Sequence, residues 1–197
     1  MRTVLVFNIM SIDGYYNGPG GDVMVMNMDA AFDDWILERM RRAGTVLLGR
    51  KSFQMFSSYW PGIADAPEDP DNRALSDVNR ESSRIYNQLQ KAVVTDSDLD
   101  LSANVWRDTT TVVRRTDVAS WLETERNTGS GDIVTYGSRT MWNSLLEHGL
   151  IDELHLMIGP EAVGGGTPVF AVPARLNLLE ARTFEGSHNV LLRYRAR

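Results

Sequence analysis

The sequence predicts an α/β domain whose largely parallel sheet is closed by an antiparallel hairpin at the C-terminal end, and three observations predict it. Short apolar runs of strand composition recur at 4–10, 45–48, 92–95, 110–113, 133–136 and 151–158. Between them lie stretches with helical spacing or helix punctuation, the alternation that crossover helices in a parallel sheet require. The last two runs, 178–184 and 190–194, are joined at Glu185-Gly186-Ser187 and leave no room for a crossover, so they pair antiparallel.

Element by element, Val4 to Met10 is an apolar run ending in Ser11-Ile12-Asp13-Gly14, and Tyr15 to Gly21 is a loop punctuated by glycine and proline. From Asp29 the spacing becomes helical. Phe32, Trp35, Ile36, Met40 and Ala43 recur on one face, with Asp33, Asp34, Glu38, Arg39, Arg41 and Arg42 between them, acidic first and basic last as the helix dipole favours. Gly44 is expected to end this helix, Thr45 to Leu48 to form the second strand, and Lys51 to Phe56 to begin the second helix. Residues 57–90 carry Pro61, Pro67 and Pro70 and read as an irregular lid or insertion with a polar, helix-capable end.

Ala92–Thr95, Asn104–Trp106 and Thr110–Val113 are strand-like, and Asp117 to Arg126 reads as a helix. Ile133 to Tyr136 is a strand, Gly137-Ser138 opens a helix that runs to His148, and Gly149 stops it. In IDELHLMI, Leu154, Leu156 and Ile158 alternate with Glu153, His155 and Met157 as in a half-buried strand, which makes His155 a surface or packed residue rather than a catalyst. There is no internal repeat or low-complexity tract, and residues 1–197 read as a single domain.

Composition narrows the function classes. Hydrophobic residues make up 43% and charged residues 23% of the chain, the balance of a soluble globular protein. A net charge of -6 argues against broad nucleic-acid binding, because neutralising a phosphate backbone needs a basic face. Without cysteine there is no disulfide, no thiolate catalysis and no thiolate metal centre, and no metal site is expected. The opening run MRTVLVFNIM is too short to span a bilayer and has no cleavage pattern behind it. A cytoplasmic location without membrane contact is expected.

GTVLLGRKS at 44–52 is one inserted arginine away from the phosphate loop G-x-x-x-x-G-K-[ST], but its central Thr45, Val46, Leu47 and Leu48 suit a buried strand, not a polar cradle. Read as strand then turn, the stretch presents a helix start at Gly49 to Ser52. Ligands in open α/β sheets collect outside strand carboxyl ends, where helix N-termini supply backbone donors. Three segments have that arrangement: Leu48 to Ser52, Val94 to Ser97, and Tyr136 to Thr140. Each could also be an ordinary turn or helix cap.

TVLLGRKSF, KAVVTDS, the opening strand with SIDG, and IVTYGSRTMWNSLLEHGLIDELHLMIGPEAVGGGTPVF together resemble the reductase domain of riboflavin biosynthesis. That is the C-terminal reductase domain of the bifunctional deaminase-reductase, in the dihydrofolate-reductase-like superfamily. The likeness runs over nearly the whole chain and is most specific in GLIDELHL and GGGTPVF. It implies a dihydrofolate-reductase-like fold with a mostly parallel central sheet of about eight strands, flanking helices and a C-terminal antiparallel hairpin. It also implies NADPH as cofactor, with NADH not excluded, hydride transfer to a small heterocycle of pterin or phosphoribosylaminopyrimidine type, and a homodimer. The zinc deaminase that precedes this domain in the bifunctional enzyme is not expected here.

Carried over from the family, Gly49, Arg50, Lys51 and Ser52 match the turn near the adenosine ribose and pyrophosphate, with Arg50 and Lys51 facing the 2′-phosphate. Thr95 and Ser97 match the second adenosine-side turn, although Asp96 between them would repel that phosphate. Gly137, Ser138 and Thr140 match the helix start at the pyrophosphate. Gly164 and Gly165, with Gly166, match the glycine turn near the reactive end; a tight bend between strands would use the same residues.

Hydride transfer to a C=N bond needs a proton at nitrogen and a group that holds the polar edge of the ring. Asp13 matches a family position at the mouth of the site, with Ser11 beside it on the substrate side. Asp33 resembles by spacing the acidic residue on the first helix of dihydrofolate reductases. An aspartate in a first helical turn, or in an Asp-Gly turn, is also explained without chemistry. Trp60 is a candidate for lining the substrate side or for core packing. Two rival readings stand beside the reductase: a non-catalytic nucleotide, flavin or pterin binder on the same fold, and a phosphate-transfer enzyme built on GTVLLGRKS, which the strand-like TVLL and Arg50 disfavour.

Overall fold

The computed structural model of the protein describes residues 1–67 and 69–197; residue 68, inside the expected 57–90 segment, lies outside the described residues. In chain order the strands are β1 (Val4–Met10), β2 (Tyr15–Asn17), β3 (Ala43–Gly49), β4 (Gln90–Val94), β5 (Thr110–Val113), β6 (Asp132–Tyr136), β7 (Glu153–Ile158), β8 (Thr167–Pro168), β9 (Leu176–Thr183) and β10 (Val190–Ala196). The helices are α1 (Ala30–Met40), α2 (Arg50–Tyr59), α3 (Asp77–Gln88), α4 (Val118–Thr128) and α5 (Arg139–Glu147). The chain divides into two compact units, Met1–Thr3 with Asp33–Ser138, and Val4–Phe32 with Arg139–Arg197.

The first unit holds four parallel strands in the order β5, β4, β3, β6. Val46, Leu47, Leu48, Val93, Ile133 and Val134 are fully buried, which is why these strands read as continuous apolar runs instead of alternating. Burying each such side chain contributes about 1.5–3 kcal/mol relative to exposure. A column of rings packs beside them: Trp60 stacks on Tyr86 with centroids 5.6 Å apart, Tyr86 stacks on Trp106 at 5.3 Å, and the Lys91 ammonium lies 4.6 Å from the Trp106 ring.

Three sequence expectations in this unit are corrected. Helix α1 ends at Met40, and Ala43 and Gly44 belong to β3. Gly44 serves close approach and not a helix stop, since a Cβ there would lie 1.8 Å from the Ser130 carbonyl oxygen. Arg39 is buried and not on the polar face, because its guanidinium lies over the Trp35 ring four residues earlier. Asn104–Trp106 is a turn: Asn104 Oδ1 accepts the Trp106 N–H at 2.9 Å and its carbonyl accepts the Arg107 N–H, so both groups are taken from any ladder. The helix-capable end of the 57–90 segment forms α3 at Asp77–Gln88, behind a Ser76 cap that accepts the Asn79 N–H, and at the other end α2 reaches Tyr59.

The second unit pairs β1 with β7 in parallel, then β7 with β10 and β10 with β9 antiparallel, so the C-terminal hairpin forms as predicted. The four strands of the first unit with β1, β7, β10 and β9 of the second account for the eight that the sequence reading expects. Strand β7 is buried on both faces, including His155 and Met157, which corrects the half-buried expectation; β1 and β10 flank it on either side. Glu153 and Arg193 then hold His155 in a charged cluster, with Glu153 Oε2 3.0 Å from its Nε2 and 3.1 Å from Arg193. The loop after β1 is not wholly irregular, since β2 forms a short ribbon with β8. Among the described residues, no helix is long and apolar enough to cross a membrane.

Candidate cofactor and substrate site

In the first unit, β3 runs out at Gly49 in extended conformation and α2 begins at Arg50. Gly49 has no side chain to cap that helix, so the first-turn N–H groups at Arg50, Lys51 and Ser52 have no intrahelical acceptor. The turn after β6 meets this one. Gly49 N–H donates to Ser138 Oγ at 3.0 Å, and Ser138 N–H donates to Ser52 Oγ at 2.9 Å. Both hydroxyls are therefore acceptors toward backbone and keep their O–H for an acceptor-only group such as phosphate. The latch is bought with backbone strain: Ser138 takes a φ of 49°, after Gly137 at 57°.

The turn after β4 is drawn in by Thr95, whose N–H donates to the Val113 carbonyl and whose Oγ1 accepts the Ser97 N–H at 3.1 Å. Asp96 does not stand alone there. Its Oδ1 accepts the Arg115 N–H at 3.0 Å, its Oδ2 lies 3.5 Å from Arg115 Nε, and its carbonyl accepts from the Arg114 guanidinium. Neither Arg50 nor Lys51 makes an ion pair among the described residues. Arg114 and Arg115 were missed by the sequence reading, although a basic pair directly after a strand was the available signal.

Asp33 lies in the first turn of α1, with its carboxylate largely buried. Its Oδ2 accepts from the Arg73 guanidinium and from Asn79 Nδ2 at 3.0 Å, and Asn79 Nδ2 also reaches the Arg73 carbonyl at 3.1 Å. Burial pushes the Asp33 carboxyl up, against the opposing pull of the Arg73 charge and the Asn79 bond. Tyr59 is close enough for its hydroxyl to feel both charges, on top of the burial that raises it. Trp60 packs in the ring column, and its carbonyl accepts the Ser83 hydroxyl at 2.6 Å. Arg73, Asn79 and Tyr59 come from the segment that sequence patterning left irregular.

In the second unit Ser11 is buried and paired with Tyr15, accepting its N–H at 2.9 Å through Oγ. Asp13 meets the glycine turn directly: Oδ1 accepts the Val163 N–H at 3.1 Å and Oδ2 the Gly164 N–H at 2.7 Å. The Ser11 hydroxyl, then these two backbone donors, hold the exposed Asp13 carboxyl below its ordinary value. A Cβ added at Gly164 or Gly165 would meet open space, whereas Gly166 is the residue packed closely, since a Cβ there would lie 2.0 Å from the Asn17 carbonyl oxygen. Thr140 is an exposed residue near the start of α5. Among the described residues, no group of His, Cys, Asp or Glu side chains could hold a metal ion.

The RibD C-terminal domain model matches residues 2–191. The chain belongs to the RibD C-terminal domain family. It is 27% identical over 190 residues to the protein YyaP of Bacillus subtilis (strain 168), covering 93% of this chain and 89% of that one. Its fold is similar to that of RibD from Acinetobacter baumannii, with a TM-score of 0.71 and 18% identity, all of this chain matching 58% of that one. It is also similar to the diaminohydroxyphosphoribosylaminopyrimidine deaminase/5-amino-6-(5-phosphoribosylamino)uracil reductase of Thermotoga maritima, with a TM-score of 0.66, 15% identity and coverage of 100% and 57%.

Membership of the RibD C-terminal family makes this a riboflavin-pathway reductase-like domain with the dihydrofolate-reductase-like α/β fold. RibD reductase domains use a nicotinamide cofactor. The first unit has features that fit such a dinucleotide: uncapped helix-start donors, two hydroxyls with protons to give, and four basic side chains at strand ends. Gly49, Ser52 and Ser138 are brought together by direct bonds, as are Asp13 and Gly164. Asp33 and Trp60 instead join residues that the sequence reading had not singled out.

Proposed function

We propose that the protein is an NADPH-dependent reductase that delivers hydride to a small heterocycle of pterin or phosphoribosylaminopyrimidine type. The latch between Gly49, Ser52 and Ser138 carries this reading, because it turns two strand-to-helix junctions into one rigid donor surface suited to a pyrophosphate. Arg50, Lys51, Arg114 and Arg115 favour a ligand with the extra 2′-phosphate, and the bonds from Arg115 to Asp96 offset the repulsion expected of that carboxylate. When bound, the nicotinamide supplies the hydride.

The nitrogen of the reduced C=N bond must also receive a proton, and the two candidate carboxylates differ in fitness for this. Asp13 is held below its usual range by donors and stays ionised near neutral pH. Asp33 is pushed the other way by burial, the direction a proton carrier needs. Asp33 is assigned the role of holding the polar edge of the ring and relaying the proton, and Asp13 that of fixing the glycine turn. Trp60, in the first unit with Asp33, is assigned to the substrate side, and Ser11, in the second, to holding Asp13. A cytoplasmic homodimer completes the proposal, with the subunit count open to sedimentation.

Calorimetric titration with NADPH and NADH, followed by NADPH oxidation with a panel of dihydropterins and 5-amino-6-(5-phosphoribosylamino)uracil, tests the reading. Tight NADPH binding with at least one acceptor reduced is the expected result. Failure to bind either nucleotide overturns it. A non-catalytic binding role is the second reading; it draws on Asp33 being already paired with Arg73, and binding without reduction of any acceptor would favour it.

A further inference from the structure

In the second unit β1 and β7 run parallel, and the turns that leave their carboxyl ends are tied together where Asp13 accepts the Val163 and Gly164 N–H groups. Beyond these turns β2 and β8 pair as a ribbon, Tyr15 with Pro168 and Asn17 with Thr167. The ribbon therefore stands outside the carboxyl ends of two parallel strands, the place where open α/β sheets take ligands. Its register contains a bulge. Tyr16 lies between two paired residues, and no residue of β8 lies between Thr167 and Pro168 to face it. A bulge of this kind re-aims a side chain and is a common device beside a binding site.

Both neighbours of Tyr16 are fastened. Ser11 Oγ accepts the Tyr15 N–H at 2.9 Å, and Asn17 Oδ1 accepts the Thr167 N–H at 2.9 Å. Ser11, Asp13 and Asn17 thus spend their side chains on backbone donors, whereas the Tyr16 hydroxyl makes no hydrogen bond among the described residues although the side chain is half-buried. Arg139, the first residue of α5, is fixed nearby, since its Nε donates to the Pro168 carbonyl and its charge acts on the phenol. Burial pushes the Tyr16 phenol up, so it carries its proton at neutral pH. The Arg139 charge pulls the other way, which makes that O–H a stronger donor. An unspent donor beside a fixed cation suits an oxygen acceptor and disfavours an amino group, which brings donors of its own.

We propose that Tyr16 reads the substrate's heterocycle by donating a hydrogen bond from its hydroxyl to a ring carbonyl oxygen, and so selects oxo-substituted pyrimidine or pterin rings over their amino-substituted analogues. The proposal rests on the reductase reading, and both acceptor classes in that reading carry such a carbonyl. A site that hydrogen-bonds one group rejects the analogue that leaves its donor unpaired. The carbonyl is not the atom that takes the hydride, so the bond is made alike before and during the reaction. It acts on KM and leaves kcat in place.

The test compares two pairs of acceptors: a dihydropterin against its diamino analogue, and 5-amino-6-(5-phosphoribosylamino)uracil against the analogue with an amino group in place of one ring oxygen. Tyr16→Phe removes the hydroxyl and keeps the ring. In the pair that the protein reduces, it should raise the KM of the oxo member by about tenfold while leaving its kcat, the KM of the amino member and the affinity for NADPH unchanged. A merely structural tyrosine would move both members together. Tyr15→Phe, on the paired neighbour, should leave the ratio of the two KM values as it is in the parent. An unchanged ratio in Tyr16→Phe, an equal rise in both KM values, or a matching shift in Tyr15→Phe overturns the proposal. If the protein binds no nicotinamide nucleotide, or reduces no acceptor, the reductase reading fails separately. Calorimetry with pterin and diaminopteridine then decides for Tyr16: weaker binding of pterin alone in Tyr16→Phe supports it, and equal weakening, no change or no binding of either ring refutes it.

Discussion

Gly49 and Ser138, 89 positions apart in the chain, are joined by a 3.0 Å bond from the Gly49 N–H to the Ser138 hydroxyl, and Ser138 returns its own N–H to Ser52. Removing the hydroxyl leaves the Gly49 donor without its partner. Ser138→Ala should destabilise the fold by about 1 kcal/mol and raise the KM for NADPH more than it lowers kcat. Ser138→Gly serves as the control, since it relieves the positive φ while also losing the hydroxyl: its fold should be the more stable of the two and its cofactor KM equally raised. Urea unfolding and steady-state kinetics read both.

Cofactor choice should depend on residues after β5 as well as after β3. Arg115→Ala leaves Asp96 beside the turn without its neutralising partner, so it should lower the preference for NADPH over NADH by about tenfold, near 1.4 kcal/mol. Asp96→Asn in that background should recover part of the loss. The ratio of kcat/KM for the two nucleotides checks it, and an unchanged ratio would remove Arg115 from the adenosine side.

Lys91 is buried on β4, with its ammonium bonded to Thr109 Oγ1 at 3.0 Å and to the Asn87 carbonyl at 3.3 Å, over the face of Trp106. No carboxylate pairs with it among the described residues, and burial pushes its pKa down from 10.5 to about 7. The unfolded chain therefore holds this proton more tightly than the folded one. Its effect on stability is constant below pH 7, and stability should rise as pH goes from about 7 toward 10.5. Lys91→Met keeps the stem packed on Trp106, and should flatten that rise and stabilise the protein near neutral pH by about 1–2 kcal/mol. Urea midpoints across the range decide it; a Lys91→Met curve as steep as the parent's would count against the assignment.

Arg2 is a buried tether for the amino-terminal ends of β3 and β6. It pairs with Glu125 at 2.7 Å and donates to Thr45 Oγ1 at 2.7 Å and to the Gly131 carbonyl at 2.8 Å. Arg2→Ala strands the partners and should cost about 3 kcal/mol. Gly131→Ala should be comparably damaging, because φ is +70° and a Cβ would lie 2.6 Å from the Arg42 carbonyl oxygen. Thermal unfolding measures both, and neither should alter cofactor affinity in the protein that remains folded.

Local pattern carried much of the fold. Val4 to Met10, Thr110 to Val113 and the C-terminal hairpin were legible because strand composition and turn residues act over a few positions. The errors fall where one residue type serves two ends. Gly44 reads as a helix stop but is required by the approach of Ser130, and Arg39 reads as solvated but is covered by its own neighbour Trp35.

The sequence by itself determined the family, the strand-to-helix junctions at Gly49 and Gly137, and the pool of charged and hydroxyl side chains available for chemistry; at Thr95, where a helix start was expected too, β4 runs into a turn instead. Tertiary structure alone decided what those side chains are committed to. It gave Ser138 to Gly49, Asp13 to the glycine turn, Asp96 to Arg115, and Asp33 to Arg73 and Asn79. Each pairing joins positions 19 to 151 residues apart, a range at which periodicity and propensity hold no information, because hydrogen bonds and burial depend on where the folded chain brings its parts together.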